Sequence, residues 1–88
     1  MAHNLEAMSM LLKKEIALSD SGVVFNPATG DSFTVNPVGL EMLRLLQSGA
    51  EEAAIVAQIQ ETYEVAPATV EKDFRDFVLL LNQHQLLH

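Results

Sequence analysis

The sequence predicts an α+β fold in which a three-stranded antiparallel sheet comes first and three helices follow. Residues 23–26 and 31–35 have strand-like sequences on either side of a tight turn. Pro27 suits the first central position of such a turn, and Gly30 can adopt the positive φ that returns the chain into a strand. From residue 37 onward, apolar residues recur at helical spacing in three successive segments. This change of period predicts the element order β, β, β, α, α, α.

The three predicted strands span residues 13–18, 23–26 and 31–35. In the third strand, Phe33 and Val35 share one face while Ser32 and Thr34 share the other. A sequential meander leaves this strand at the edge of the sheet, where its outer amide and carbonyl groups are unpaired. Neither lysine nor proline stands between residues 31 and 36 to protect that edge. The third strand is therefore able to accept another strand.

The predicted helices span residues 37–47, residues 51 to 61 or 63, and a segment that begins at residue 67. Asn36 before Pro37 marks the start of the first helix. An Asn side chain can accept a hydrogen bond from an unpaired amide of the first turn, and proline, which has no amide hydrogen, leaves none unpaired there. Gly49 is placed to end that helix in the left-handed conformation. The third helix carries an apolar stripe at i, i+4, i+7, i+8 and i+11, formed by Val70, Phe74, Phe77, Val78 and Leu81. Leu79 and Leu80 fall outside the stripe, so we expect part of that surface to meet another element or a partner.

Residues 1–12 are predicted to form an N-terminal arm that precedes a domain at residues 13–88. Leu5, Met8, Leu11 and Leu12 have helical spacing that allows a short helix, although no good capping residue precedes them. A frayed end is favoured over an arm that binds a partner or a second copy of the chain. At the other end, Leu86 and Leu87 are expected to fold back onto the domain.

Composition argues against several classes of function. Twelve acidic and five basic residues give a net charge of −7, which repels a nucleic-acid backbone. The longest apolar run, residues 77–81, is far too short to cross a bilayer. The absence of cysteine excludes disulfides and thiolate metal sites. We therefore expect a cytoplasmic protein that binds neither nucleic acid nor membrane.

The sequence also lacks the usual signs of an enzyme. It has no glycine loop of the phosphate-binding kind and no nucleophile with an adjacent base. His84 and His88 are four residues apart, but two nitrogens without a third ligand make a poor metal site. We expect no catalytic activity, no cofactor and no bound metal.

Several segments follow one another in a characteristic order and spacing. They are residues 22–37, residues 39–49, the Tyr-Glu-Val-Ala-Pro run at 63–67, residues 70–78 and the terminal pair Leu86 and Leu87. In this order they resemble the PqqD family over about residues 15–87. The chain departs from the family at His84 and Gln85, where a glycine is usual, and at Ala50, where a helix-capping residue is common.

The resemblance implies a small winged-helix-like fold that serves as a peptide chaperone, or recognition element, for ribosomally made and modified peptides. Such proteins hold a precursor's leader segment as an added strand beside the third strand, in a groove closed by the third helix. They present it to a modifying enzyme such as a radical-SAM, ATP-grasp or kinase-like protein. Carried onto this chain, the implied peptide-binding residues are Asp31, Ser32, Phe33, Thr34 and Val35 on the strand and Val70, Asp73, Phe74, Phe77 and Leu81 on the helix.

Elementary physics agrees with this interpretation, because strand addition needs an open edge beside side-chain pockets. The acidic body would favour a leader or enzyme surface with some basic residues. The open edge permits a monomer or a weak homodimer. The alternative is a non-enzymatic interaction or regulatory domain that uses the same edge for another protein. A DNA-binding winged helix is less favoured, because acidic residues outnumber Lys72 and Arg75 on the third helix.

Overall fold

The computed structural model describes residues 12–87 and contains the elements in the predicted order. The strands are β1 (Ala17–Leu18), β2 (Val23–Asn26) and β3 (Asp31–Thr34), and the helices are α1 (Pro37–Gln47), α2 (Glu52–Tyr63) and α3 (Pro67–Gln83). The strands form an antiparallel sheet in the order β1-β2-β3. The α+β fold class predicted from the sequence is confirmed.

The two faces of the sheet differ in their surroundings. Val24 is completely buried and lies opposite Phe33 in the β2–β3 register, so both side chains lie on the inner face. Phe25 lies opposite Ala17 on one side and Ser32 on the other, and all three are exposed on the outer face. The inner face therefore packs on the helices, and the outer face is exposed among the described residues.

The first strand is shorter than the predicted span of residues 13–18. The Ile16 amide donates a hydrogen bond to the Lys13 carbonyl at 3.2 Å, which closes a turn and leaves two residues to pair with β2. The third strand also ends one residue earlier than predicted, but the Val35 amide still donates to the Gly22 carbonyl at 2.9 Å. The pairing of β3 with β2 thus continues to the start of α1.

The two ends of the described chain lie side by side. Leu12 and Leu87 form an isolated antiparallel bridge, and the Lys13 amide donates to the Leu86 carbonyl at 2.9 Å. Leu86 and Leu87 are both buried, which confirms that the tail folds back. The short helix allowed by the sequence of the N-terminal arm lies outside the described residues, and the division at residue 13 stays a prediction.

The ends of α1 form as the sequence predicts. The Asn36 side-chain oxygen accepts the Gly39 amide at 2.7 Å, and Pro37 occupies the first turn. Gly49 ends the helix at φ +90, in the left-handed conformation. The end of α3 has the same left-handed backbone geometry, but the residue there is Gln85, at φ +59, and not a glycine.

One hydrophobic core lies between the inner face of the sheet and the three helices. Of the predicted stripe on α3, Val70, Phe74 and Leu81 are buried, while Phe77 and Val78 are partly buried. Leu79 is 61% exposed and Leu80 is 39% exposed. None of the described helices is long and apolar enough to span a bilayer.

Candidate peptide-binding site

The outer edge of β3 presents unpaired backbone groups. Within residues 12–87, β3 pairs with β2 alone. Because the Val35 amide bonds to β2 and hydrogen bonds alternate along an antiparallel strand, the backbone groups of Phe33 also face β2. Those of Ser32 and Thr34 face away from the sheet. Two amides and two carbonyls, spaced about 6.8 Å apart along the strand, are therefore available to another backbone.

A groove of about 530 Å³ begins where β3 ends. Its walls come from the β3–α1 junction, the end of α2 and one face of α3. Five residues predicted as peptide-binding line it, namely Thr34, Val35, Val70, Asp73 and Phe77. The structure thus brings the end of the edge strand and part of the α3 stripe to a single concave surface.

The other predicted residues lie elsewhere. Phe74 and Leu81 have no exposed surface and belong to the core beneath the groove. Asp31, Ser32 and Phe33 lie further back along β3, outside the groove lining. The Phe33 ring stacks on the imidazole of His84 with 5.0 Å between ring centroids, which brings the end of α3 against the inner face of β3.

Several groove residues were not predicted from the sequence. They are Asn36, Val38, Gly39, Met42, Ile59, Tyr63, Val65, Asp76 and Leu80. One signal was available for α1, which is apolar around most of its circumference and so has more apolar surface than one neighbour covers. A signal for Leu80 was its position outside the α3 stripe. Nothing in the sequence pattern indicated that the end of α2 would reach the same surface.

The floor of the groove is tight where α1 approaches α3. A Cβ atom placed on Gly39 would lie 3.2 Å from the Val35 Cβ and 3.5 Å from the Phe77 Cε1. Val35 and Phe77 are therefore neighbours across this point, and both are partly buried. The result is an apolar floor directly beside the end of β3.

The rim of the groove is acidic. Asp73 and Asp76 lie on the same side of α3, three residues apart, and both line the groove. The Lys72 ammonium donates to the Asp76 carboxylate at 2.9 Å. This hydrogen bond raises the pKa of Lys72 above its ordinary value; the charges of Asp76 and Asp73 also raise it, and slight desolvation opposes them. Within residues 12–87, the groove lining contains no lysine, arginine or histidine.

No group of three or more potential metal ligands occurs among the described residues. The site therefore consists of an open strand edge, an apolar floor and an acidic rim. It can bind an extended chain through backbone hydrogen bonds and can sort side chains by polarity.

The sequence matches the model of one known protein family over most of its length. The model of the family described as "Coenzyme PQQ synthesis protein D (PqqD)" matches residues 21–87. The chain therefore belongs to the PqqD family, and the resemblance found in the sequence is confirmed. A comparison with curated proteins finds no match.

Two solved structures share the fold closely. TbiB1 in complex with the TbiA(beta) leader peptide is similar at a TM-score of 0.79 and 32% identity, over 89% of this chain and 94% of TbiB1. A lasso peptide synthetase B1 complexed with the leader peptide gives a TM-score of 0.71 and 25% identity, over 83% of this chain and 89% of that protein. Both of these similar proteins were solved with a leader peptide bound.

Proposed function

We propose that this protein captures the leader segment of a ribosomally made precursor peptide by strand addition at β3 and presents it to a separate modifying enzyme. The observation that carries this proposal is the open edge of β3, where the backbone groups of Ser32 and Thr34 face outward beside a groove. The leader peptides bound by TbiB1 and by the lasso peptide synthetase B1 support it.

The backbone of the guest strand supplies most of the affinity. The amides and carbonyls of Ser32 and Thr34 bond to the guest, which becomes the fourth strand of the sheet. Guest residues opposite Ser32 and Thr34 direct their side chains to the outer face. Guest residues opposite Phe33 and Val35 direct theirs toward α3, because cross-strand neighbours share a face.

The side chains of the groove supply selectivity. Val35 and Phe77 offer an apolar surface to the guest side chains that face α3, the buried Val70 lies beneath that surface, and Asp73 lies at its rim. Phe74 and Leu81 support this surface from the core without touching the guest.

At the other end of the edge, Asp31 begins the strand, and the Phe33–His84 stack borders the guest side chain opposite Phe33. The guest contacts therefore run from the start of β3 to the N-terminal half of α3.

The chemistry on the peptide belongs, in this proposal, to a separate cytoplasmic enzyme of the radical-SAM, ATP-grasp or kinase-like kind. The protein itself binds and presents, as a monomer or a weak homodimer. Holding the leader as a strand leaves the rest of the precursor free to reach an active site on the partner.

An NMR titration tests this function. The ¹⁵N-labelled protein is titrated with a synthetic leader from a precursor gene that neighbours the gene for this chain. We expect saturable shifts in residues 31–35 and in α3, with a change at the Gly39 amide beside the groove floor. Shifts confined to residues outside β3 and α3, or no shifts with any neighbouring leader, would contradict the proposal.

A further inference from the structure

The groove extends beyond the end of β3, and its far end has a composition of its own. The Phe33–His84 stack places the C-terminal end of α3 beside β3, so the groove follows α3 from there toward its first turns. Of the groove lining, Tyr63 ends α2, Val65 lies in the turn after it, and Val70 and Asp73 lie in the first two turns of α3. We call these four residues the distal groove end.

Asp73 is the charged group at the distal groove end. Its carboxylate forms no ion pair within residues 12–87, whereas three other carboxylates do. Arg44 pairs with Asp20, Lys72 with Asp76 and Arg75 with Glu52. Lys72 is near enough for Asp73 to raise its pKa, but its ammonium bonds to Asp76. Asp73 lines the groove, and within residues 12–87 its carboxylate has no cationic partner.

We propose that the distal groove end is a subsite for a lysine or arginine side chain of the bound peptide, with Asp73 as the residue that determines this specificity. The proposal rests on the proposed function. Tyr63 and Val65 offer apolar surface to the aliphatic stem above the buried Val70, and the carboxylate meets the cationic head at the exposed rim. A long basic side chain satisfies both parts of this surface, which a short or wholly apolar side chain does not.

The geometry also sets the position of that residue in the peptide. The guest residue opposite Val35 lies beside Phe77, because Val35 and Phe77 are neighbours at the groove floor. Asp73 precedes Phe77 by four residues, or about 6 Å along α3. The next guest side chain on the same face is about 6.8 Å further along an extended chain. The basic residue is therefore expected two positions beyond the residue that occupies the apolar floor.

A selection from peptides of random sequence tests this specificity. A displayed library of random twelve-residue peptides is selected on the wild-type protein, on Asp73→Asn and on the matched control Glu71→Gln. Glu71 is also exposed on α3 but borders a different cleft, between α2 and α3, so its substitution makes the same charge change outside the groove. Binders are sorted by whether they shift the Ser32 and Thr34 amides in NMR spectra.

Among the edge-binding peptides, those selected on wild type and on Glu71→Gln are expected to be enriched in lysine or arginine two positions from an apolar residue. Those selected on Asp73→Asn are expected to lack this enrichment. Replacing that basic residue with methionine in one selected peptide should raise Kd about two- to fivefold on wild type, as for an exposed ion pair, and leave Kd on Asp73→Asn unchanged. Edge-binding peptides without this enrichment, or with equal enrichment on Asp73→Asn, would overturn the subsite but leave the proposed function standing. A selection that yields no edge-binding peptide would contradict both.

Discussion

Gln85 is one of two non-glycine residues, with Glu64, that end a helix of the described chain in the left-handed conformation. The Leu86 amide bonds to the Leu81 carbonyl at 3.0 Å and the Gln85 amide bonds to the Asn82 carbonyl at 3.0 Å. This pair of bonds defines a Schellman motif, whose left-handed position usually holds glycine. At the end of α1 the same motif has Gly49. The sequence departure at Gln85 therefore places a side chain in a conformation that disfavours one.

Replacing Gln85 with glycine should stabilise the protein. A non-glycine residue in the left-handed region costs about 1–2 kcal/mol, and the greater freedom of glycine in the unfolded chain offsets about 0.5–1 kcal/mol of the gain. We expect Gln85→Gly to raise the free energy of unfolding by about 0.5–1 kcal/mol, measured by urea denaturation. The control is Gln83→Gly in the last turn of α3, which should lower it by a similar amount. Equal effects of the two substitutions would contradict this account of Gln85.

Among the elements, β3 has one edge paired with β2 and an opposite edge at which we propose that the peptide binds. Its inner pairing to β2 uses the backbone of Phe33 and Val35, while the backbone of Ser32 and Thr34 takes no part in that pairing. A substitution that removes only an outward amide should therefore separate binding from folding.

Thr34→Pro is the substitution that makes this separation. Proline is tolerated on an edge strand where its missing amide hydrogen would face outward. We expect Kd for the leader peptide to rise about tenfold, because one guest carbonyl loses its partner. The loss of stability should be smaller than that caused by Phe77→Asp. The control Thr34→Val keeps the amide and should keep most of the affinity; a leader affinity unchanged in Thr34→Pro would show that main-chain pairing is not the mechanism.

The elements also show how far the sequence could predict the site. Period-2 alternation placed Phe33 and Val35 on one face of β3, and the helical stripe on α3 identified Val70, Phe74 and Leu81 as core-facing. Which flank of that stripe lines a groove depends on where the start of α1 packs. That packing is a long-range contact, and the hydrophobic pattern of a single strand or helix does not indicate it. Tyr63 and Val65 could not be predicted for the same reason, because they reach the groove through the packing of α2 on α3.

At the scale of the whole molecule, the two ends of the described chain pair with each other and bury their leucine side chains in the core. Leu86 is completely buried, and its carbonyl accepts the Lys13 amide. The segment after α3 therefore holds the end of that helix in place. Since His84 on this segment stacks on Phe33, the same packing fixes the position of α3 relative to β3.

Leu86→Ala should destabilise the whole domain. Removal of a fully buried leucine side chain costs about 2–5 kcal/mol, a large part of the stability of a domain of this size. Leu79→Ala makes the same chemical change at a side chain that is 61% exposed, and we expect an effect within about 0.5 kcal/mol. Thermal and urea unfolding of both variants provide the measurement. Similar losses in the two variants would contradict the role given to the tail.

Amide hydrogen exchange at β3 tests the central claim, that a guest backbone pairs with this edge, most directly. In the free protein the Ser32 and Thr34 amides should exchange rapidly, and the Phe33 and Val35 amides should be protected by their bonds to β2. Addition of a leader peptide should slow exchange at Ser32 and Thr34 by at least about tenfold. If the peptide binds and these two amides continue to exchange at the free rate, the guest does not pair with β3.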